Sequence, residues 1–179
     1  MALEITTDRL LLRPLVPEDF EAHAEMMADA RVARFLALGG KVPSRETMWR
    51  TFATMLGHWQ IRGYGFFAMI ERDSGSWVGR VGPWMPEGWP GLECGWGVDA
   101  RWWGKGYAPE AAIAAIRWIF ATNPELPRIM SLIDPANENS QAVARKIGET
   151  LSGEKFQHEV AGPLDIWAAP RDEWLKRFG

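Results

Sequence analysis

One stretch constrains this chain more than any other: Gly91 to Ala115, GLECGWGVDARWWGKGYAPEAAIAA. It reads as a strand over Leu92–Val98, a basic loop broken by glycines, and a helix that opens at Pro109. Side chains alternate along a strand, so Glu93, Gly95 and Gly97 share one face, and Leu92, Cys94, Trp96 and Val98 the other. One face is bare except for a single carboxylate. Glycine weakens a strand, and two on one face mark a close approach to the backbone. Two readings fit. A ligand lies along the strand with Glu93 at its reactive end, or a bulge or a closely packed helix fills the space. With Glu93 on the ligand face, Cys94 points to the apolar side as a small buried hydrophobe rather than a nucleophile.

The loop that follows, Arg101-Trp-Trp-Gly-Lys-Gly-Tyr-Ala108, carries glycines at 104 and 106. They let consecutive N–H groups turn inward, and the helix behind adds its positive N-terminal end. Arg101 and Lys105 add charge at the mouth, so a pyrophosphate would suit the site. The Walker A pattern fails because Lys105 is followed by Gly106, where Ser or Thr is required. The dinucleotide fingerprint fails too, since the residue three after Gly106 is Pro109. A tight turn ahead of a helix is the plain alternative.

The rest of the chain supplies a frame. Asp8–Leu15 reads as a first strand and Pro17–Ala30 as a helix with acids in its first turn. Ser44 is a candidate N-cap for a helix reaching Ile61. Tyr64–Glu71 and Trp77–Trp84 form a hairpin around Asp73-Ser74-Gly75, and Leu92–Val98 extends it into an antiparallel meander. After the helix Pro109–Ala121 come a strand, Arg128–Ile133, and a helix, Asn139–Ile147, stopped by Gly148. This order predicts a parallel crossover. Two strands, Leu151–Val160 and Leu164–Ala168, joined at Ala161-Gly162-Pro163, and a helix, Arg171–Phe178, close the chain.

Bulk properties exclude several classes. The 179 residues suit one domain, 1–179. The formal charge of −3 is no nucleic-acid footprint. One cysteine and three separated histidines argue against a metal site. No apolar run reaches membrane-spanning length. The N-terminus lacks the apolar core of a signal peptide. A cytoplasmic protein, monomer or homodimer, is the expectation. The eleven tryptophans serve the core, with some free to line a groove.

Arg101-x-x-Gly104-x-Gly106-Tyr-Ala108, directly after a strand carrying Glu-x-Gly-x-x-Val, resembles the acetyl-coenzyme A motif of the GCN5-related N-acetyltransferase (GNAT) family. TDRLLLRPLVPEDFEA, the run Asp134-Pro-Ala-Asn137-Glu-Asn-Ser140 with Ala144-Arg-Lys-Ile-Gly148, and Asp165-Ile-Trp-Ala with Arg171-Asp-Glu-Trp174 resemble the RimJ/RimL-like branch, which includes the ribosomal-protein N-terminal acetyltransferases. The resemblance implies an α/β (α+β) fold with a mixed, strongly twisted central sheet, an antiparallel meander and flanking helices. It implies acetyl-CoA as co-substrate and an amine as acceptor, a protein N-terminus or a small molecule. A non-catalytic acyl-CoA-binding or sensing module is the alternative.

Carried over position by position, the resemblance assigns the pyrophosphate to Trp103, Gly104, Lys105, Gly106, Tyr107 and Ala108. It assigns the pantetheine arm to Trp96, Gly97 and Val98, and cofactor contacts to Arg101, Asn137 and Ser140. Glu93 is the expected base, and Ser140 the hydroxyl near the thioester sulfur. Phe35, Trp84 and Trp89 are expected to wall the acceptor site, with His158 as a second candidate base. One departure stands out. The family often places an aromatic residue after Gly148, and here Glu149 follows it.

Overall fold

The computed structural model describes residues 3–179. Eight strands form one mixed sheet: β1 (Ile5–Thr6), β2 (Leu10–Pro14), β3 (Phe67–Glu71), β4 (Trp77–Trp84), β5 (Glu93–Val98), β6 (Arg128–Ile133), β7 (Thr150–His158) and β8 (Gly162–Pro170). Their spatial order is β1-β2-β3-β4-β5-β6-β8-β7. The expected meander is present, since β2 to β5 pair antiparallel in sequence order. The expected crossover is present too, with β5 and β6 parallel. Six helices flank the sheet: α1 (Phe20–Ala28), α2 (Ala30–Leu36), α3 (Arg45–Arg62), α4 (Tyr107–Thr122), α5 (Glu138–Lys146) and α6 (Arg171–Phe178).

Strand alternation divides the core. Leu10, Leu12, Phe67, Met69, Val81 and Cys94 pack with the alanine-rich face of α4. Phe66 and Ala68 face the other way and pack with Phe52 and Met55 of α3. The small side chains at Ala111, Ala112 and Ala115, all fully buried, let α4 lie close on the strands. Cys94 is buried as expected, and burial pushes its thiol well up, away from nucleophilic thiolate chemistry.

Three local readings change. The helix expected over Pro17–Ala30 is a 3-10 turn at Pro17–Asp19 followed by α1, and it breaks at Asp29. Asp29 takes an extended conformation and accepts the N–H of Arg31, capping the unforeseen helix α2. Pro109 is the third residue of α4 rather than its first. The whole first turn lacks intrahelical N–H partners, so proline is tolerated there. The last hairpin turns before Gly162, and Pro163 lies inside β8 opposite Gln157. Because β6 pairs only with Asp165–Pro170, Pro163 has one unpaired side and needs no donor there.

Candidate active site

The site begins where the two parallel strands part. Their register has a single pair, Glu93 with Met130. Beyond it, side chains replace the ladder. Ser131 Oγ donates to the Cys94 carbonyl at 2.9 Å, and the Leu132 N–H reaches Glu93 Oε1 at 3.4 Å. On its other edge β5 stays paired to β4 as far as Val98 with Gly79. Trp96, Gly97 and Val98 are therefore left without a partner strand on the edge along the fork, with the Val98 carbonyl accepting Trp103 Nε1–H at 2.8 Å.

That edge lines a cavity of about 720 Å³, which also receives Trp103, Gly104, Gly106, Tyr107 and Ala108. Gly104 and Gly106 adopt left-handed φ values of 78° and 80°, which glycine permits without strain. Outside helices and strands, Gly104 to Ala108 donate no backbone hydrogen bond, and the first turn of α4 has no intrahelical acceptor for its N–H groups. Unclaimed donors thus gather at the positive end of a 16-residue helix. They suit the pyrophosphate of a coenzyme A derivative. A residue not foreseen from sequence fixes this loop from behind. Arg9 donates through Nη1 to the Lys105 carbonyl at 2.7 Å and through Nε to Glu110 Oε2 at 2.7 Å.

The side chains of Arg101 and Lys105, expected at the mouth of this site, point elsewhere. Neither lines this cavity; both line a neighbouring one of about 330 Å³. Arg101 is drawn away by Asp99, at 2.6 Å, and by Glu25 at 3.3 Å. Lys105 stacks over the Trp102 ring at 4.4 Å. The cations that do line the large cavity come from elsewhere: Arg34 of α2, Lys146 of α5, and Arg31 of α2, itself paired with Asp29 at 2.6 Å. No local motif marks them, because their position depends on how distant helices pack.

The bare glycine face also has a different cause from the one the resemblance favoured. A Cβ at Gly97 would lie 2.6 Å from Leu36 Cδ1, and one at Gly95 3.0 Å from the Phe66 ring. The reading with a helix packed over the glycines therefore holds at Gly97, and an aromatic ring fills the space at Gly95. Gly97 meets the cavity all the same, on the free edge of β5.

Glu93 is half-buried at the root of the fork and does not line the large cavity. Trp89 Nε1–H donates to its Oε2 at 2.7 Å. Burial pushes this carboxyl above its ordinary range, against the pull of the Trp89 and Leu132 N–H groups and the charge of Arg80. Trp84 is the register partner of Glu93, stacked on His58 at 4.3 Å and on Phe66 at 5.0 Å. His158 lies edge-on to Trp89 at 5.6 Å, its Nδ1 accepting the Val160 and Ala161 N–H groups as a turn cap. Trp84, Trp89 and His158 thus gather around Glu93. Phe35 lines the large cavity instead.

Asn137 caps α5 by accepting the Ser140 N–H at 3.1 Å, and both residues line the large cavity. Glu149, the departure from the family pattern, is 1% exposed, with Oε1 3.1 Å from Ser131 Oγ. Its neighbour Ser131 bridges the fork. Among the described residues no cluster of histidine, cysteine or acidic groups could hold a metal ion, and no helix is long and apolar enough to cross a membrane.

A parallel strand pair that splays toward a helix N-terminus, with a cavity of about 720 Å³ along its free edge, suits an acyltransferase that takes coenzyme A thioesters. The family model described as acetyltransferase (GNAT) domain matches residues 9–150, and the chain belongs to that family. It is an acetyl-CoA-dependent acetyltransferase. It is 30% identical over 151 residues to the uncharacterized N-acetyltransferase YnaD of Bacillus subtilis, covering 84% of this chain and 85% of that one. A second Bacillus subtilis protein, the uncharacterized YkkB, is 37% identical over 91 residues, about half of either chain (49% and 52%). The acetyltransferase structure from Agrobacterium tumefaciens superposes with a TM-score of 0.81 at 31% identity, covering 94% of this chain and 95% of that one. The RimL ribosomal L7/L12 alpha-N-protein acetyltransferase, solved with coenzyme A, shares the fold at a TM-score of 0.75 and 17% identity, with 96% and 99% covered.

Proposed function

We propose that residues 1–179 act as one N-acetyltransferase unit that acetylates a primary amine, on a protein N-terminus or a small molecule. The observation that carries this reading is the placement of Glu93. A half-buried carboxylate stands at the root of the fork whose free edge, Trp96–Val98, lines the large cavity. Acetyl-CoA, when bound, supplies the thioester carbonyl that an amine attacks.

The chain's own residues have the following roles. The N–H groups of Gly104 to Ala108 hold the pyrophosphate with Trp103 beside them, and the free edge of Trp96, Gly97 and Val98 pairs with the pantetheine arm. Asn137 orients the first turn of α5, so that the Ser140 hydroxyl hydrogen-bonds the departing thiolate as it takes up the proton lost by the attacking nitrogen. Glu93 accepts the proton of the acceptor ammonium. Trp96 lies three steps further along the strand, roughly 10 Å away, so proton transfer runs through water rather than by direct contact. A raised carboxyl is the stronger base once ionised, and turnover rises with pH through its titration. Trp84 and Trp89 wall the acceptor beside Glu93, and Phe35 closes the cavity from α2.

The test is a thiol-release screen with acetyl-CoA over peptides with free N-termini, amino acids, polyamines and aminoglycosides. Glu93→Gln should slow turnover on the accepted class roughly 10²–10⁴-fold while acetyl-CoA binding persists. Turnover at the parental rate in that variant would remove Glu93 from the base role.

A further inference from the structure

Arg80 stands out among the buried groups. It is 7% exposed, forms no ion pair among the described residues, and its Nε lacks a hydrogen-bond partner. A buried charge without compensation is strongly unfavourable, so something must balance it. Arg80 lies on β4 as the register partner of Gly97, hence on the same sheet face as Gly95 and Glu93. Its guanidinium sits 4.1 Å from the centre of the Phe66 ring. The same ring approaches Gly95 to 3.0 Å of an ideal Cβ, and Glu93 Oε1 lies 3.7 Å from that point. One aromatic ring and one missing methyl thus connect the cation to the carboxylate.

The other buried ionisable groups around this layer are neutral. His23 of α1 is held neutral by burial, its pKa lowered to about 3. His58 Nε2 accepts the Met85 N–H at 3.1 Å, so its Nδ1 donates to the Tyr64 carbonyl at 2.8 Å, which is the neutral ring. Cys94 on the far face stays a thiol. Around Trp89, His158 accepts two N–H groups at Nδ1. Glu149 is decided by hydrogen counting. Ser131 has one hydroxyl proton, and the Cys94 carbonyl can only accept it. With the Ser131 proton on the Cys94 carbonyl, a proton held by the buried Glu149 carboxyl completes the contact, in keeping with the burial that pushes this group well up. Glu93 has the opposite pattern, since both its neighbours, Trp89 Nε1–H and Leu132 N–H, donate to it.

We propose that Arg80 is a positioning residue for the reaction: its unpaired guanidinium, acting across Phe66, keeps Glu93 ionised and leaves Glu149 to hold the proton. The inference builds on Glu93 as base only for its catalytic consequence, because ionisation is measurable without turnover.

The experiment is a pH titration of protein labelled with ¹³C at the glutamate δ-carbons. The Glu93 signal is assigned by its loss in Glu93→Gln. In Arg80→Met the Glu93 midpoint should rise, and Arg80→Lys should bring it back toward the parent. The acid limb of kcat/KM should move by the same interval. Arg80→Gln repeats the measurement where the methionine variant fails to fold, and Arg45→Met, at an exposed pair with Glu21, is the control that leaves the midpoint in place. An unmoved midpoint in the Met and Gln variants overturns the proposal. A midpoint that rises while Glu93→Gln retains parental turnover upholds Arg80 as the source of ionisation and removes Glu93 as base.

Discussion

Glu149 shows how a single residue can set a pH response. Burial pushes its carboxyl well above the ordinary value, and the nearby Glu93 charge adds to the rise. The sign follows from linkage. Above the titration of the unfolded glutamate the folded chain still holds a proton that the unfolded chain has released. Stability therefore falls as pH rises, by about 1.4 kcal/mol per unit for one proton, until the folded group itself titrates. Glu149→Gln supplies a neutral donor of similar shape and removes that slope. Melting temperatures followed from about pH 5 to about pH 8 should fall more steeply for the parent than for the variant. Parallel pH dependences would mean that Glu149 is not protonated in the fold. Sequence singled out Glu149 as a departure but not its partner, because Ser131 meets it only once β6 and the end of α5 are packed together.

At the scale of elements, the packing of α2 on β5 decides the shape of the cavity. Gly97→Ala would place a methyl 2.6 Å from Leu36 Cδ1. Relieving that contact moves the leucine or the helix and should cost about 1–3 kcal/mol. Chemical denaturation should show the loss, and KM for acetyl-CoA should rise because Arg31 and Arg34 ride on the same helix. Unchanged stability would show that Leu36 simply turns aside. Arg9 permits a second test at this scale. Arg9→Ala frees the Lys105 carbonyl and the Glu110 carboxylate together, so acetyl-CoA binding should weaken even though Arg9 does not line the cavity. Unaltered affinity would show that the loop holds its shape alone. These elements also mark what sequence could and could not show. The alternation of Glu93, Gly95 and Gly97 was legible, as were β6 and α6, whose boundaries match the expected ones. What covers the glycines was not, because Asp29 reads as one more surface acid in a helix until its extended backbone is seen to start a new one.

Over the whole molecule, the parts with strong local signals were legible: the meander, the crossover and the glycine loop ahead of α4. The parts assembled from distant segments were not. Among the described residues, the unpaired positive charge of the large cavity comes from Arg34 of α2 and Lys146 of α5, since Arg31 is paired with Asp29, while the cations inside the motif are engaged by Asp99, Glu25 and Trp102. A salt series distinguishes these sets, since exposed charges are screened over about 10 Å at moderate ionic strength. Lys146→Glu should weaken acetyl-CoA binding and flatten its salt dependence, and Lys105→Ala should do neither.

The central claim is that the N–H groups of Gly104 to Ala108 and the free edge of Trp96–Val98 hold the co-substrate. Residue-resolved amide hydrogen exchange with and without acetyl-CoA tests it most directly. The account predicts slowed exchange in both segments, with the largest protection between Gly104 and Ala108. Saturating acetyl-CoA that leaves those amides unprotected, or protects a surface elsewhere, would contradict it.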